Sequence, residues 1–330
     1  MPRQVSLVIV YTLCGLGVCL GNFLSLNQDT TELWHRRQQR FNSLSLLVFL
    51  FIWFKKSPLL KRTIPSSGEE LPVISLGTWQ TFDKSPSHYP VLEKVLDVLH
   101  SSGGSLIDSS PMYGKSEKVI GDIISKMPVA DDFFYATKVW TSGLQKGITQ
   151  MESSLQKMKR KQMDLMQVHN LSDWETYLPL LREWKEDGKI RYIGITHYKD
   201  SSHEELERIF RTEKIDFVQF NYSIAARNAE ERLLDAAADM GVAILINRPF
   251  GEGSLFSKVK GKLLPSWALE YGIESWSAFF LKYIIAHPAV TCVIPATANP
   301  SHALDNVRAG TGILPDEVVR KKMVEYLNKL

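Results

Sequence analysis

The sequence predicts an α/β protein: a single (β/α)8 barrel over residues 61–330, preceded by an apolar N-terminal extension over residues 1–60. A chain of 330 residues has the length of one such barrel. From Leu71 onward, short apolar runs alternate with amphipathic runs. No G-x-G-x-x-G motif follows any apolar run, which disfavours a doubly wound open sheet.

Eight short apolar runs predict the strands of the barrel. Most are continuous rather than alternating, which is typical of parallel strands that helices cover. Eight strand–helix units in one chain of this length indicate a closed barrel rather than an open sheet. The predicted strands are residues 73–79, 105–109, 133–139, 163–169, 192–197, 217–222, 242–247 and 291–295.

The helices are predicted from apolar spacing and from their end signals. The stripe at residues 91–99 is closed by Gly103 and Gly104, and residues 175–187 and 232–240 each end at a glycine.

Two further helices are predicted from their first turns. Ser202 and Glu205 have the spacing of a capping box. Pro315 is placed in the first turn of the last helix, followed by Asp316 and Glu317, which suit the positive end of its dipole.

The N-terminal extension carries apolar runs at residues 5–20 and 44–54, the second followed by Lys55 and Lys56. It fits a membrane anchor or interfacial segment over residues 5–54, with the barrel in the cytoplasm. The alternatives are a signal for export, including one that begins at Arg36 and Arg37, and an extension without a biological role.

Charge and cysteine content exclude several classes of protein. Residues 1–63 hold eight Lys/Arg and two Asp/Glu, a charge of +6, which leaves 31 basic and 34 acidic residues, or −3, for the rest. The barrel therefore offers no basic face for nucleic acid. Three cysteines exclude a disulfide scaffold, and Cys14, Cys19 and Cys292 are expected to be buried free thiols. The histidines lack metal-ligand spacing, so no metal site is predicted.

In a barrel of this kind, polar side chains at the carboxyl ends of the strands form the functional site. Asp108, with Tyr113 after it, Lys138 and His169 occupy such positions on three successive strands. Each has an ordinary structural explanation when it is taken singly. Their combination at one mouth indicates an active site.

These residues lie in motifs that resemble those of the aldo-keto reductase superfamily, in its compact bacterial type. The motifs are Leu76-Gly77-Thr78-Trp79, Asp108-x4-Tyr113-Gly114, Ala136-Thr137-Lys138, Asp164 to His169, Gly194-Ile195-Thr196 and Ile294-Pro295-Ala296-Thr297. The resemblance spans about residues 60–330. It implies a (β/α)8 barrel that reduces aldehydes and ketones to alcohols with a reduced nicotinamide cofactor.

The resemblance also implies roles for the four strand-end residues. Tyr113 would donate the proton to the carbonyl oxygen. A free tyrosine has a pKa of about 10, so Lys138 would lower that pKa by its positive charge. Asp108 would hold Lys138, and His169 would bind the carbonyl oxygen.

The resemblance implies NADPH as the cofactor, with NADH as the alternative. Long-loop reductases stack a tyrosine on the nicotinamide where this chain has Asn247-Arg248, and they grip the phosphate with Lys and Arg where it has Ala296 and His302. The predicted cofactor residues are Gly77, Thr78, Asn170, Thr196, Gln219, Asn247, Arg248, Pro295, Thr297, Asn299, Ser301, His302 and Asn306.

The resemblance also implies that Trp79, Trp140 and His169 line a substrate pocket, which would fit an apolar or aromatic carbonyl compound. A monomer is expected. Two other classes stay open. A non-catalytic NADPH-binding subunit of a membrane protein is suggested by the apolar N-terminus. A Schiff-base aldolase would use Lys138 as its nucleophile, although Asp108 would keep that lysine protonated.

Overall fold

A computed structural model describes residues 57–330. The predictions for the apolar runs, the twin arginines, Cys14 and Cys19 concern residues that lie outside this range. Within residues 57–330, no helix combines the length and the apolar character needed to cross a bilayer.

Eight parallel strands form the barrel, as the sequence predicts, and each pairs with the next one along the chain. The order of pairing is the order of the sequence, because a helical connection returns the chain after every strand. The barrel strands are β3 (Leu76–Gly77), β4 (Leu106–Asp108), β5 (Phe134–Val139), β6 (Met163–His169), β7 (Ile190–Thr196), β8 (Phe217–Asn221), β9 (Ala243–Asn247) and β10 (Cys292–Val293).

The first and last strands meet at a narrow seam. The predicted strand 73–79 is regular only at Leu76–Gly77, and it joins β10 through single bridges of Ile74 to Val293 and of Gly77 to Ala296. The two backbones run so close here that a Cβ atom on Gly77 would lie 2.7 Å from the carbonyl oxygen of Ile294. Glycine at this position therefore permits the barrel to close.

The helices surround the barrel. The helices predicted around residues 91–99, 175–187 and 232–240 are present, and Gly103, Gly188 and Gly241 take positive φ values just after them. The helices are α1 (Tyr89–Ser101), α2 (Ser116–Ile124), α3 (Leu144–Lys157), α4 (Trp174–Glu186), α5 (His203–Thr212), α6 (Leu233–Asp239), α7 (Ser254–Lys258), α8 (Trp276–Ile285), α9 (Pro300–Ala309) and α10 (Glu317–Asn328).

Two predicted helix starts are wrong in detail. Ser202 precedes α5 but its side chain makes no capping hydrogen bond, because a 3-10 turn runs directly into the helix there. Pro315 lies before α10 rather than in its first turn, and Asp316 is the cap instead, accepting a hydrogen bond from the amide of Val319.

The apolar core has two layers. One fills the barrel interior with side chains such as Leu106, Phe134, Leu165 and Phe217. The larger layer packs the outer faces of the strands against the helices. Cys292 belongs to the interior layer as a free, fully buried thiol, and burial raises its pKa to about 12.

A hairpin that the sequence analysis missed precedes the barrel. It pairs β1 (Lys61–Thr63) with β2 (Glu70–Pro72) in antiparallel register. Leu71 and Ile64 pack into the interior layer, and Glu69 forms an ion pair with Arg191 near the start of β7. The hairpin therefore lies at the amino-terminal ends of the strands, opposite the predicted active site.

We expect Arg62→Met to lower the free energy of unfolding by about 2 kcal/mol, since hydrogen bonds from a charged group contribute roughly 1.5–3 kcal/mol. The Arg62 guanidinium donates to the carbonyl oxygens of Ile285, His287 and Val290, and it ties the hairpin to the end of α8. Urea unfolding measures the change. Lys321→Met, which removes an exposed ion pair with Glu317, is the control and should shift stability by less than about 1 kcal/mol.

Candidate active site

Asp108 and Lys138 form a buried ion pair at the carboxyl ends of adjacent strands. Asp108 ends β4, and Lys138 lies near the end of β5. Both residues are at most 2% exposed. Lys138 Nζ donates to Asp108 Oδ2 at 2.6 Å and to the carbonyl oxygen of Ser109 at 2.7 Å. A buried charge needs such partners, so the pair fixes the ammonium group in one place.

Tyr113 lies against this pair, with Lys138 Nζ 5.1 Å from the centre of its ring. Burial raises the pKa of the Tyr113 phenol, and the positive charge of Lys138 lowers it. Lys138 therefore acts on the phenol in the direction that the sequence analysis expects. Burial outweighs the lysine, however, so that the pKa of Tyr113 lies above its ordinary value.

The pKa of Lys138 is also raised. Burial acts to lower it, but the charges of Asp108 and Tyr113 and their hydrogen bonds together outweigh burial. Lys138 is therefore a permanent cation at neutral pH, as the sequence predicts, and it is a poor Schiff-base nucleophile.

His169 ends β6, and its ring centre lies 5.8 Å from that of Tyr113 in an edge-to-face arrangement. The side chain is buried. Burial, followed by the charge of Lys138, lowers the pKa of His169 to about 2. The imidazole is therefore neutral, which suits a hydrogen-bonding role rather than a charged one.

The low pKa of His169 predicts how stability depends on pH. Below about pH 6.5 an unfolded histidine takes up a proton, whereas folded His169 takes one up only near pH 2. Stability therefore falls as the pH falls, by about 1.4 kcal/mol per unit below about pH 6.5. Between pH 7 and pH 5, urea unfolding should show wild type losing about 2 kcal/mol more than His169→Gln. An equal loss in both proteins would contradict a buried, neutral His169.

Gln167 supports Asp108 from the barrel interior, and the sequence analysis missed it. Its Nε2 donates to Asp108 Oδ1 at 3.0 Å, while its Oε1 is buried without a hydrogen-bond partner. Gly194 is its neighbour on β7, and a Cβ atom there would lie 2.9 Å from Gln167 Cγ. Gly194 thus makes room for Gln167. The signal was present, since Gln167 is polar within an apolar strand and on the same face as His169.

Glu117 supports the neighbouring strand in a similar way and was also missed. It is 1% exposed, and burial raises its pKa. Its Oε1 accepts a hydrogen bond of 2.6 Å from Thr137 Oγ1, next to Lys138 in β5. This contact ties α2 to the strand that carries the lysine.

A cavity of about 400 Å³ opens at the mouth of the barrel. Trp79, Met112, Phe250 and Phe256 give it an apolar wall. Lys138 lies behind Asp108 and does not line it. The predicted residues that line the cavity are Gly77, Thr78, Trp79, Asp108, Tyr113, His169, Asn170, Thr196, Gln219, Asn247 and Arg248.

Two of these residues present unpaired acceptors. Gln219 Oε1 and Asn247 Oδ1 are buried and have no hydrogen-bond partner among residues 57–330. A buried acceptor without a partner costs about 1–3 kcal/mol, so a ligand that carries N–H donors would be stabilised here. A carboxamide has such donors.

The guanidinium group of Arg248 adds a positive charge to the lining of the same cavity. It lies in the loop where the sequence departs from that of the long-loop reductases. Its φ is +52°, a rare value for a residue with a side chain. The guanidinium forms an ion pair with Glu252 and lies 4.1 Å from the ring centre of Tyr198 and 5.9 Å from that of Trp79. Arg248 thus reaches across the cavity mouth from the end of β9.

The predicted phosphate-site residues do not line this cavity, although their neighbours Ile294 and Ala296 do. Asn299 caps α9 by accepting from the amide and the hydroxyl of Ser301. Thr297 accepts from the amide of Asn299. Asn306 is buried and accepts from the hydroxyl of Ser277. None of these residues, and neither Pro295 nor His302, lines the cavity, so their cofactor contacts stay a prediction.

Trp140 does not line the cavity either, so its contact with the substrate stays a prediction. It follows the end of β5, is 42% exposed, and lies with its ring centre 6.4 Å from that of His169. Its backbone amide and carbonyl both form hydrogen bonds with the side chain of Gln150 in α3. Among residues 57–330, no group of His, Cys, Asp and Glu is arranged to hold a metal ion.

Several named proteins are similar in sequence to this chain. An aldo-keto reductase of Strobilurus tenacellus is 28% identical over 186 residues, covering 51% of this chain and 52% of that protein. The aldo-keto reductase YhdN of Bacillus subtilis is 27% identical over 215 residues, covering 60% and 64%. An NADH-specific methylglyoxal reductase of Escherichia coli is 26% identical over 242 residues, covering 65% and 73%. The chain thus spans about half to two thirds of the length of the first two relatives.

Solved structures share the fold. An aldo-keto reductase from Klebsiella pneumoniae, in complex with NADPH, superimposes with a TM-score of 0.67 at 19% identity and covers 81% of this chain and 95% of that one. An aldo-keto reductase from Bacillus halodurans, in its holo form, gives a TM-score of 0.66 at 19% identity, with 82% and 96% covered. Identities this low establish the barrel and nothing finer.

The family assignment comes from a match to a whole-family model. The model described as the aldo/keto reductase family matches residues 73–322, which is well over half of the chain and includes every strand of the barrel. The order of the strand-end residues and the buried Asp108–Lys138 pair agree with that match. The chain belongs to the aldo/keto reductase family.

Proposed function

We propose that this protein reduces aldehydes or ketones to alcohols with a reduced nicotinamide cofactor, and that Tyr113 is the acid. One observation carries the proposal: Tyr113 and His169 line an apolar cavity, and directly behind them a buried lysine is held as a cation. The proposed proton donor, the proposed hydrogen-bond donor and the positive charge of the lysine therefore lie along one wall of the cavity.

The chemistry follows from where negative charge develops. A bound dihydronicotinamide supplies a hydride to the carbonyl carbon, so the carbonyl oxygen becomes negative. His169 binds that oxygen, and Tyr113 gives it a proton. The phenolate left on Tyr113 is stabilised by Lys138, which Asp108 keeps charged and in place. Burial of the pair excludes water and strengthens this electrostatic effect.

The cavity also fits the cofactor. The carboxamide of a nicotinamide has N–H donors that match the unpaired acceptors of Gln219 and Asn247. Asn170, Thr196, Gly77 and Thr78 line the same space and complete the proposed nicotinamide site. Arg248 would attract the anionic part of the cofactor.

We propose NADPH as the cofactor, with NADH as the alternative. One relative is named as NADH-specific and one similar structure as a complex with NADPH, so family members use both. His302 is exposed near the start of α9, at a position where long-loop reductases bind the 2′-phosphate with a basic side chain. A strong ionic contact with that phosphate needs a side chain that is always charged, such as arginine, and histidine is not one. Discrimination between the two cofactors should therefore be modest.

The test uses the purified full-length chain with a panel of aldehydes, including apolar, aromatic and 2-oxo aldehydes. Consumption of NADPH and of NADH is followed in parallel reactions, and the dissociation constant of each cofactor is measured by protein fluorescence. Turnover with any member of the panel supports a reductase. Tight cofactor binding without turnover would contradict it and would favour the non-catalytic, cofactor-binding subunit.

A further inference from the structure

Ser110 contacts the imidazole of His169, and nothing above gives it a role. It lies between Asp108 and Tyr113 in the sequence, and its side chain is fully buried. Its Oγ is 2.9 Å from Nδ1 of His169, and it accepts a hydrogen bond of 3.2 Å from the amide of Met112.

These two contacts fix the direction of the Ser110–His169 hydrogen bond. A serine hydroxyl has one proton and can accept through its lone pairs. In the hydrogen bond from Met112, Oγ of Ser110 is the acceptor, so the hydroxyl proton of Ser110 is free to be donated to another group. Within residues 57–330, Nδ1 of His169 is the other partner of this oxygen. The hydroxyl therefore donates to Nδ1.

The opposite direction is costly. If Nδ1 carried the ring proton and donated to Ser110, the hydroxyl proton would be buried without an acceptor. An unsatisfied buried donor costs about 1–3 kcal/mol. A neutral imidazole carries one N–H and one bare nitrogen, and His169 is neutral because burial lowers its pKa to about 2. With Nδ1 as the acceptor, the proton must be on Nε2.

We propose that Ser110 is a positioning residue that holds His169 in the Nε2–H tautomer. This inference rests on the proposed function in one respect: His169 lines the cavity, and with Nδ1 engaged, Nε2–H is the group left to donate to a carbonyl oxygen. In the other tautomer the ring would present a bare nitrogen, and its lone pair would repel the developing oxyanion.

The direct test is nitrogen NMR of histidine-labelled, full-length protein, which reports the tautomer of a neutral imidazole from the shifts of its two nitrogens. The chain has eight histidines, and the His169 signals are those that disappear in His169→Gln. We expect Nε2–H in wild type and in Ser110→Thr, which keeps the hydroxyl, and a mixture in Ser110→Ala. An Nδ1–H ring in wild type, or an unchanged ring in Ser110→Ala, would overturn the proposal.

Kinetics give a second readout. Ser110→Ala should lower kcat about fivefold, the equivalent of one hydrogen bond, with the dissociation constant of the cofactor unchanged and with Ser110→Thr restoring activity. Ser75→Ala is the matched control, because Ser75 is a buried serine that does not line the cavity. Its kcat should equal that of wild type.

The two proposals fail separately. The tautomer is measured without a substrate, so the NMR result stands even if no aldehyde in the panel is reduced. Conversely, turnover by a wild type that carries an Nδ1–H ring would leave the reductase intact and remove the role of Ser110. If Ser110→Ala does not fold, Ser110→Cys takes its place, because a thiol is a weaker donor than a hydroxyl and should also give a mixture.

Discussion

Tyr113→Phe is expected to lower kcat about 10²- to 10⁴-fold, which is the usual contribution of a positioned general acid. The substitution removes only the phenolic oxygen, so the aromatic wall against Lys138 and His169 is kept. The dissociation constant of the cofactor should change by less than about twofold, since a residue that acts only in the transition state leaves ground-state binding unchanged. Steady-state kinetics and a cofactor titration measure the two quantities.

Tyr326→Phe is the control for this experiment. Its hydroxyl donates to the carbonyl oxygen of Leu263, far along the chain and outside the cavity lining. It should turn over like wild type. A Tyr113→Phe protein that retains more than about a tenth of the wild-type kcat would mean that another group, or a water, supplies the proton.

Lys138→Met is the second substitution for which we expect a large effect, both on the free energy of unfolding and on kcat. Removing one partner of a buried ion pair lowers the free energy of unfolding by about 3–5 kcal/mol, because the other charge is left buried and uncompensated. Here the abandoned charge is Asp108, with Gln167 as its remaining side-chain donor. The loss should be present from neutral pH up to the high pKa of Lys138, since a raised lysine pKa contributes stability that fades only as the lysine deprotonates.

A double variant separates the two effects. Asp108→Asn combined with Lys138→Met removes both charges, so most of the stability should return while activity stays lost. Urea unfolding and kcat are measured on the single and double variants. Activity in a stable double variant would show that Lys138 serves the fold and not the chemistry.

The barrel and the walls of the site could be predicted from the sequence because both follow from periodicity. A buried parallel strand is a mainly apolar run, and a charged or ionisable side chain stands at or near its carboxyl end at Asp108, Lys138 and His169. Three such ends on adjacent strands must meet at one mouth once the barrel closes. Their sequence positions therefore determine their proximity.

The residues behind that wall were missed because a single polar position does not reveal its partner. Ser110 contacts His169 and Gln167 contacts Asp108 through side-chain hydrogen bonds, and only the folded geometry identifies these partners. The hairpin of β1 and β2 was missed for a different reason. Its strands have three residues each, too few to show a period, and its packing depends on side chains more than 100 positions away, such as Tyr192.

The contact between Gln167 and Gly194 limits the order in which this barrel can change during evolution. A side chain at position 194 would collide with the glutamine, and a smaller residue at position 167 would leave Asp108 without its second donor. A substitution at position 194 therefore requires the loss of Gln167, and it must also fit beside the carbonyl oxygen of Phe217, 3.2 Å from the Cβ position. The two positions are therefore expected to covary among related barrels, and glycine at 194 should mark those members whose aspartate receives an amide hydrogen bond from the interior.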